Sequence, residues 1–400
     1  MKVAYFSPLP PEATGIADYS ATLLPELLPH WDITLFVAQA SVRLPDGLDH
    51  LPVRPISSFQ GPLQERYNMC VYQMGNNVHY HEQIYTTLLR FPGVAVLHDP
   101  NLHGFHVDHA MLQKSPRSAL VREFSLSHGP AGACYARQLF SPEGMIEGNR
   151  FSHSSRLAKV STGIIVHSQY ARRLILANTP QARVRVVQQP IPLTERPLDK
   201  LAAKERVGLP SDSFLLASFG FASPNKHIHN MIEVLPQLRS VFPNLHYAVV
   251  GQPIAGYDLD SQIKKLGLQD CVHITGYVEE SLYMQYLLAT DIGINIRYPT
   301  TGETSAALLR MMASGIPCIV SDVDAFSELP DDAIVKLAPD ESPEEQLRQT
   351  FEMLIPDQYR QALLSQHALE YISAYADPAK TASNYAAFVD ELLSFKGILD

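Results

Sequence analysis

A polar run, TTGETS, fills residues 300–305 and separates two largely apolar stretches, IGINIR (Ile292–Arg297) before it and AALLRMMASGIPCIVSD after it. The pattern reads as a buried strand, a loop, a helix, a Gly-Pro break and another buried strand. Thr304 or Ser305 caps the helix, and Gly315 with Pro317 ends it. A capped helix opening from the carboxyl end of a parallel strand presents free backbone N–H groups and a positive dipole end. That is the chemistry of an anion site, and phosphate is the common anion. Glu303 adds a carboxylate at the same mouth. A carboxylate beside phosphate is unfavourable unless it meets hydroxyls, and a sugar carried on a nucleoside diphosphate presents both.

Other residues of suitable type stand at comparable positions. Lys226 lies in the loop after the apolar run FLLASFG (Phe214–Gly220), just before an amphipathic helix with Ile228, Met231, Ile232, Leu235 and Leu238 at helical spacing. A lysine in such a loop can meet a diphosphate as a point charge. Arg310 lies among apolar residues of the helix after TTGETS, where an unpaired charge would be costly. It either pairs with Glu303, Asp322 or Glu328 or contacts the ligand. His98 ends the apolar run of GVAVLHD and can bond sugar hydroxyls or shuttle a proton; a buried, satisfied histidine fits equally well. Gly15, in the loop between the strand KVAYFS and the helical run ATLLPELL, lets backbone approach a ligand, with Thr14, Asp18 and Tyr19 as polar company; an ordinary turn accounts for it as well. His103, His106 and His109 recur every three residues, but no cysteine or carboxylate cluster completes a metal set, so no metal is expected. His79 and His81, which flank Tyr80, are expected to line a surface or the cleft between the two halves. No GxSxG, HExxH or P-loop pattern occurs, and the first strand-to-helix loop lacks GxGxxG.

These residues need strands that deliver them to one edge. The apolar runs Lys2–Ser7, Asp32–Val37, Met69–Met74, Gly93–Asp99, Gly163–Ser168 and Val184–Gln189 alternate with helical segments. The text turns polar from Pro190 to Gly208, a linker merging into a short helix. The alternation then restarts with runs at Phe214–Gly220, His246–Gly251, Cys271–Gly276, Ile292–Arg297, Pro317–Asp322 and Ile334–Ala338. Two α/β halves with mostly parallel sheets follow, in keeping with 400 residues being too many for one ordinary core. The expected division is 1–190, 191–375, and a final helix at 376–400 beyond Asp377–Pro378 that crosses back to the first half.

A net charge of −10 argues against a nucleic-acid binder, and 46% hydrophobic with 18% charged residues describes a soluble globular chain. Of the four cysteines, Cys70, Cys271 and Cys318 lie in or beside apolar runs, and without a CxxC spacing the simple reading is buried free thiols in a reducing compartment. The chain starts directly with a strand, without a signal-peptide pattern, and no apolar run reaches the roughly 18 residues of a membrane span. A cytoplasmic protein is expected, with peripheral contact at the inner face of a membrane left open.

The segment RYPTTGETSAALLRMMASGIPCIVSDVDAFSELP resembles the donor-binding segment of family 4 retaining glycosyltransferases of GT-B architecture. SPLPPEATGIADYS, GVAVLHD, IIVHSQYARRLI, FGFASPNKHI and VHITGYV resemble further segments of that family, so the resemblance covers nearly the whole chain. It implies two Rossmann-like doubly wound domains facing a cleft, a nucleotide-diphosphate-sugar donor, a glycan or lipid-linked acceptor, and no metal or other cofactor. By position it implies that Glu303 contacts the donor sugar, Lys226 holds the diphosphate and His98 sits near the reacting centre. Gly15 would admit donor and acceptor, Tyr277 and Val278 would present backbone to the base, and Thr304 and Ser305 would serve the phosphate. The chain departs from the pattern twice. The family's paired glutamates fall on Gly302 and Arg310, which puts Glu303 one residue off, and Phe221 stands where many relatives have an arginine. A GETS-type variant with Arg310 on the helix is the closer match. A sugar-nucleotide epimerase of the same architecture and a non-catalytic binding protein are the alternatives.

Overall fold

The computed structural model describes residues 1–140, 151–193, 199–340 and 342–399; residues 194–198 of the expected linker lie outside this set. The chain divides into two compact units. The first comprises Met1–Pro190, Thr301–Thr304 and Ala376–Asp400; the second comprises Ile191–Thr300 and Ser305–Tyr375.

The first unit holds seven parallel strands, β1 (Lys2–Phe6), β2 (Asp32–Val37), β3 (Val53–Pro55), β4 (Met69–Met74), β5 (Val94–Leu97), β6 (Gly163–Val166) and β7 (Val184–Val186), in the order β3-β2-β1-β4-β5-β6-β7. β4, β5 and β6 are buried at every position, which is why their sequences are apolar runs, broken only by Gln73 in β4, rather than alternating ones. β3 is a three-residue edge strand with every residue exposed, and no apolar signal marks it in the sequence. The helix Pro378–Leu399 belongs to this unit: Tyr385, Phe388, Val389 and Leu392 enter the same core as Val3, Tyr5 and Leu23. Gly163 makes room for it, because a Cβ there would lie 2.5 Å from Leu392. Burying each of these large side chains contributes roughly 1.5–3 kcal/mol.

The second unit holds six parallel strands, β8 (Phe214–Phe219), β9 (Leu245–Val250), β10 (Val272–Ile274), β11 (Ile292–Asn295), β12 (Cys318–Ser321) and β13 (Val335–Leu337), in the order β10-β9-β8-β11-β12-β13. Counted from its own first strand this is 3-2-1-4-5-6, the doubly wound order, and the first sheet follows it with one strand added. The strand order reverses between β1 and β4 in one sheet and between β8 and β11 in the other. Ligands of such sheets bind outside the carboxyl ends of the strands at that reversal. The helix Ile228–Val241 buries Ile228, Met231, Ile232, Leu235 and Leu238 together, the face its spacing implies.

Several expectations need correction. Gly15 is not in a loop: it is the first residue of the helix Gly15–Leu27, whose N-cap Thr14 accepts a hydrogen bond from the backbone of Ile16, so the helix starts well before ATLLPELL. Before Asp377–Pro378 the chain carries two helices, Glu344–Leu354 and Gln358–Tyr375, with Pro356 between them. Cys70, Cys271 and Cys318, the three cysteines in or beside apolar runs, are buried free thiols as expected, and Cys134 is exposed. Among the described residues no helix is long and apolar enough to cross a membrane.

Candidate active site

In the second unit, the loops after β8 and β11 leave the sheet on either side of its reversal. After β8, Gly220 turns with φ of 85°, and Pro224–Lys226 form a 3-10 turn whose Ser223 Oγ donates to Asn225 Oδ1 at 2.6 Å. Lys226 Nζ folds back to donate to the carbonyl of Phe219, the last residue of β8, at 3.4 Å. After β11, the expected helix spans Ala306–Ala313, and Ser305, not Thr304, is its cap. Ser305 Oγ accepts from the backbone of Leu308 at 3.3 Å and from Arg297 Nη2 at 3.0 Å, and donates to Asn295 Oδ1 at 3.0 Å. A hydroxyl has one proton and two lone pairs, so Ser305 is saturated. The two loops are joined by Tyr298, whose N–H donates to Asn225 O at 2.8 Å. Lys226 and the open end of a capped helix thus come to one edge of one sheet.

Tyr277 and Val278 follow β10 on that same edge. Tyr277 is largely exposed and Val278 half-buried. Arg310 is not paired with Glu303, Asp322 or Glu328. It pairs with Glu280, at the start of the helix Glu280–Ala289, and its guanidinium lies 4.2 Å over the ring of Tyr283. The sequence expectation considered only acids near Arg310 in the chain; the crossover packing brings the partner from a different helix.

Residues Thr301–Thr304 group with the first unit. Gly302 has φ of 83°, and a Cβ on it would stand 2.6 Å from the Tyr170 ring and 3.1 Å from Pro100, so this position is restricted to glycine twice over. Glu303 Oε2 accepts from the Thr301 amide at 2.9 Å and the Thr301 hydroxyl at 2.5 Å, which fixes the carboxylate against its own loop. Thr304 Oγ1 is buried with no hydrogen-bond partner among the described residues. Buried hydroxyls are rarely left so.

His98, immediately after β5, is buried in the first unit beside Tyr19 and His167, with ring centroids 4.6 and 4.9 Å away. Its Nε2 lies 2.8 Å from Gln73 Oε1. Gln73 Nε2 donates to Tyr5 Oη at 2.9 Å, so Oε1 is the accepting atom and His98 must carry its proton on Nε2. Nδ1 is then the lone-pair nitrogen. Burial, helped by neighbouring His167 and His81, holds the His98 pKa well below the ordinary histidine range, so the ring is neutral near pH 7. His81 does not line a surface: it is buried, it bonds the Asn77 carbonyl, and burial pushes its pKa down to about 4. Of His103, His106 and His109, which share the helix His103–Met111, His106 bonds the carbonyl of His153 and His109 faces Glu82 at 3.7 Å. Among the described residues no group of three His, Cys, Asp or Glu is placed to hold a metal.

Sequence reasoning missed Gln73, Asn295, Asn225, His227 and Tyr298. Gln73 and Asn295 carried a signal, each being a lone amide inside an apolar strand run. The other three act through tertiary hydrogen bonds that no spacing announces.

Residues 199–370 match the family described as glycosyl transferases group 1. No curated protein matches the sequence. Among solved structures, the chain is similar over 98% of its length to HepE of Anabaena in complex with UDP and glucose, covering 99% of that chain at 16% identity and a TM-score of 0.68. It is similar over 98% of its length to sucrose-phosphate synthase of Thermosynechococcus elongatus, covering 99% of that chain at 14% identity and a TM-score of 0.68. It is also similar over 95% of its length to WaaG, a glycosyltransferase involved in lipopolysaccharide biosynthesis, covering 98% of that chain at 15% identity and a TM-score of 0.59. These likenesses show the GT-B fold. Residues 199–370 thus form a glycosyl transferases group 1 domain.

Proposed function

We propose that the protein is a retaining glycosyltransferase of the family 4 type that moves a sugar from a nucleoside-diphosphate donor to a glycan or lipid-linked acceptor. The observation that carries this reading is the placement of Lys226 and the Ser305-capped helix at the carboxyl edge of one sheet, on either side of its strand reversal. Both are positive, and together they suit a pair of phosphates. HepE with UDP and glucose, at similar fold, supports the same donor class.

In this reading the bond between the sugar's anomeric carbon and the β-phosphate oxygen lengthens first. Charge develops on that oxygen, and Lys226 with the helix N-terminus stabilises it more in the transition state than in the ground state. The acceptor oxygen bonds to the same face of the anomeric carbon as the phosphate leaves, and its proton passes to the departing phosphate oxygen. Glu303 accepts hydrogen bonds from donor-sugar hydroxyls. Neutral His98, with Nδ1 as lone-pair atom, accepts another. The unpartnered Thr304 hydroxyl and the backbone of Ser305 serve phosphate oxygens, and Tyr277 and Val278 offer backbone to the base. Gly15, at the first turn of its helix, keeps the N-terminal approach free of side chain. Glycan or polysaccharide assembly, at the cytoplasmic face of a membrane, suits such an activity.

Glu303→Ala and Lys226→Ala should each reduce transfer by about 100-fold or more with the circular dichroism spectrum unchanged. A folded Glu303→Ala protein with full activity removes the central assignment. A thermal-shift screen against UDP-, GDP- and ADP-sugars should raise the melting temperature with one base and not the others.

A further inference from the structure

Immediately after Lys226, His227 adopts φ 52° and ψ 31°, a left-handed conformation uncommon for any residue but glycine. It is buried. Its ring makes two hydrogen bonds: Nε2 to the carbonyl of Tyr298 at 2.9 Å and Nδ1 to Asn230 Oδ1 at 2.8 Å. The orientation of Asn230 is set from its other end, where Nδ2 donates to Glu344 Oε1 at 2.5 Å. Asn230 Oδ1 is therefore an acceptor, as is the Tyr298 carbonyl. The ring thus engages a different element through each of its two nitrogens. The ring lies next to Lys226 and has the His229 ring stacked 6.1 Å away.

The two bonds reach different elements. Asn230 is in the first turn of the helix Ile228–Val241, whereas Tyr298 is in the loop after β11. Tyr298 also returns a bond to the β8 loop through its N–H to Asn225 O, and Asn225 Nδ2 reaches the Pro299 carbonyl at 3.4 Å. The segment carrying Lys226 is thus tied to the segment leading into TTGETS, and His227 is the only side chain among these contacts that bonds both the helix and the opposite loop. We infer that His227 is a positioning residue for donor binding: its ring, bonded through both nitrogens, clamps the β8 and β11 loops together and so fixes the direction from which Lys226 meets the donor's diphosphate. A backbone conformation that side chains avoid is retained here because the ring it carries holds two loops.

The inference rests on the donor class proposed above, and the test separates the two. Calorimetric titration of UDP, GDP and ADP into the full chain compares wild type, His227→Gly, His227→Asn, Lys226→Ala and the His227→Gly/Lys226→Ala double variant. Glycine and asparagine both tolerate the left-handed turn, so the fold is kept while the clamp is lost. For the nucleotide that wild type binds, both His227 variants should bind about tenfold or more weakly with an unchanged number of sites. A purely structural defect would instead lower the number of sites and leave the affinity of the folded fraction alone. Because His227 acts through Lys226, the double variant should bind within about threefold of Lys226→Ala alone. Affinity within about twofold of wild type in His227→Gly, or losses that multiply in the double variant, overturns the inference while leaving the donor class standing. Failure of wild type to bind any of the three nucleotides overturns both.

Discussion

Ser305→Ala is the substitution whose cost can be worked most directly from the structure. Ser305 is 4% exposed and Asn295 6%, so water cannot replace what the hydroxyl supplies. Deleting it removes the N-cap of the helix Ala306–Ala313, worth about 1 kcal/mol. It also strips Asn295 Oδ1 of a buried donor, a loss of about 1–3 kcal/mol. The bond from Arg297 adds little, since that guanidinium also lies over the Phe326 ring. The sum is about 2–4 kcal/mol, or a fall of roughly 5–15 °C in melting temperature for a unit of this size. Ser305→Thr keeps the hydroxyl and should lose about 1 kcal/mol or less. Urea unfolding followed by circular dichroism measures the change. The single tryptophan, Trp31, lies in the first unit, so its fluorescence serves as a control for that unit. A Ser305→Ala protein within about 0.5 kcal/mol of wild type would refute the reasoning, because a saturated buried hydroxyl cannot be removed so cheaply.

The Arg310–Glu280 pair should behave differently: Glu280 is 67% exposed, so Glu280→Gln should change stability by about 1 kcal/mol or less, and a loss above about 2 kcal/mol in thermal melts would contradict a solvent-screened pair. Stability should also fall on acidification. His81, His106 and His167 are buried with pKa values pushed down to about 4 from 6.5, so the unfolded chain binds more protons than the folded one between those limits. Their contribution is therefore complete above about pH 6.5 and is lost as pH falls toward 4, by up to roughly 3 kcal/mol each. Denaturation midpoints measured from pH 7.5 down to 5 should show this loss, and flat midpoints would contradict it.

The strands were legible because both sheets are parallel and covered on two faces. Runs such as VAVL in β5 and GIIV in β6 must be apolar at every position, and an unbroken short apolar run between loops has few other readings. The same physics explains the failures. β3 is exposed throughout, so nothing in Val53–Pro55 had to be apolar in a periodic way. The helix Gly15–Leu27 starts with a glycine, a poor helix former, and its true start is set by the Thr14 cap and by burial of Ile16, Ala17 and Tyr19. The partner of Arg310 was not legible because attraction between charges acts through space, and thirty residues of chain separate it from Glu280.

The candidate site was legible in its charges and not in its supports, for a reason the two sheets share. In each, the strand that follows the reversal of order carries one buried amide near its carboxyl end: Gln73 in β4 and Asn295 in β11. Gln73 fixes the tautomer of His98, and Asn295 accepts from Ser305. An amide buried in an apolar strand costs several kcal/mol unless it is bonded, so it persists only where the bond is made. Each amide therefore marks the place where an apolar sheet hands over to a polar loop, next to the point where strands diverge and leave space at their ends. A single Gln or Asn inside an otherwise apolar strand is thus a sequence signal in its own right. It cannot name its partner, but it states that a polar group is held at that strand end, and here both such groups, His98 and Ser305, are residues that the chemistry of the surrounding loops had already singled out.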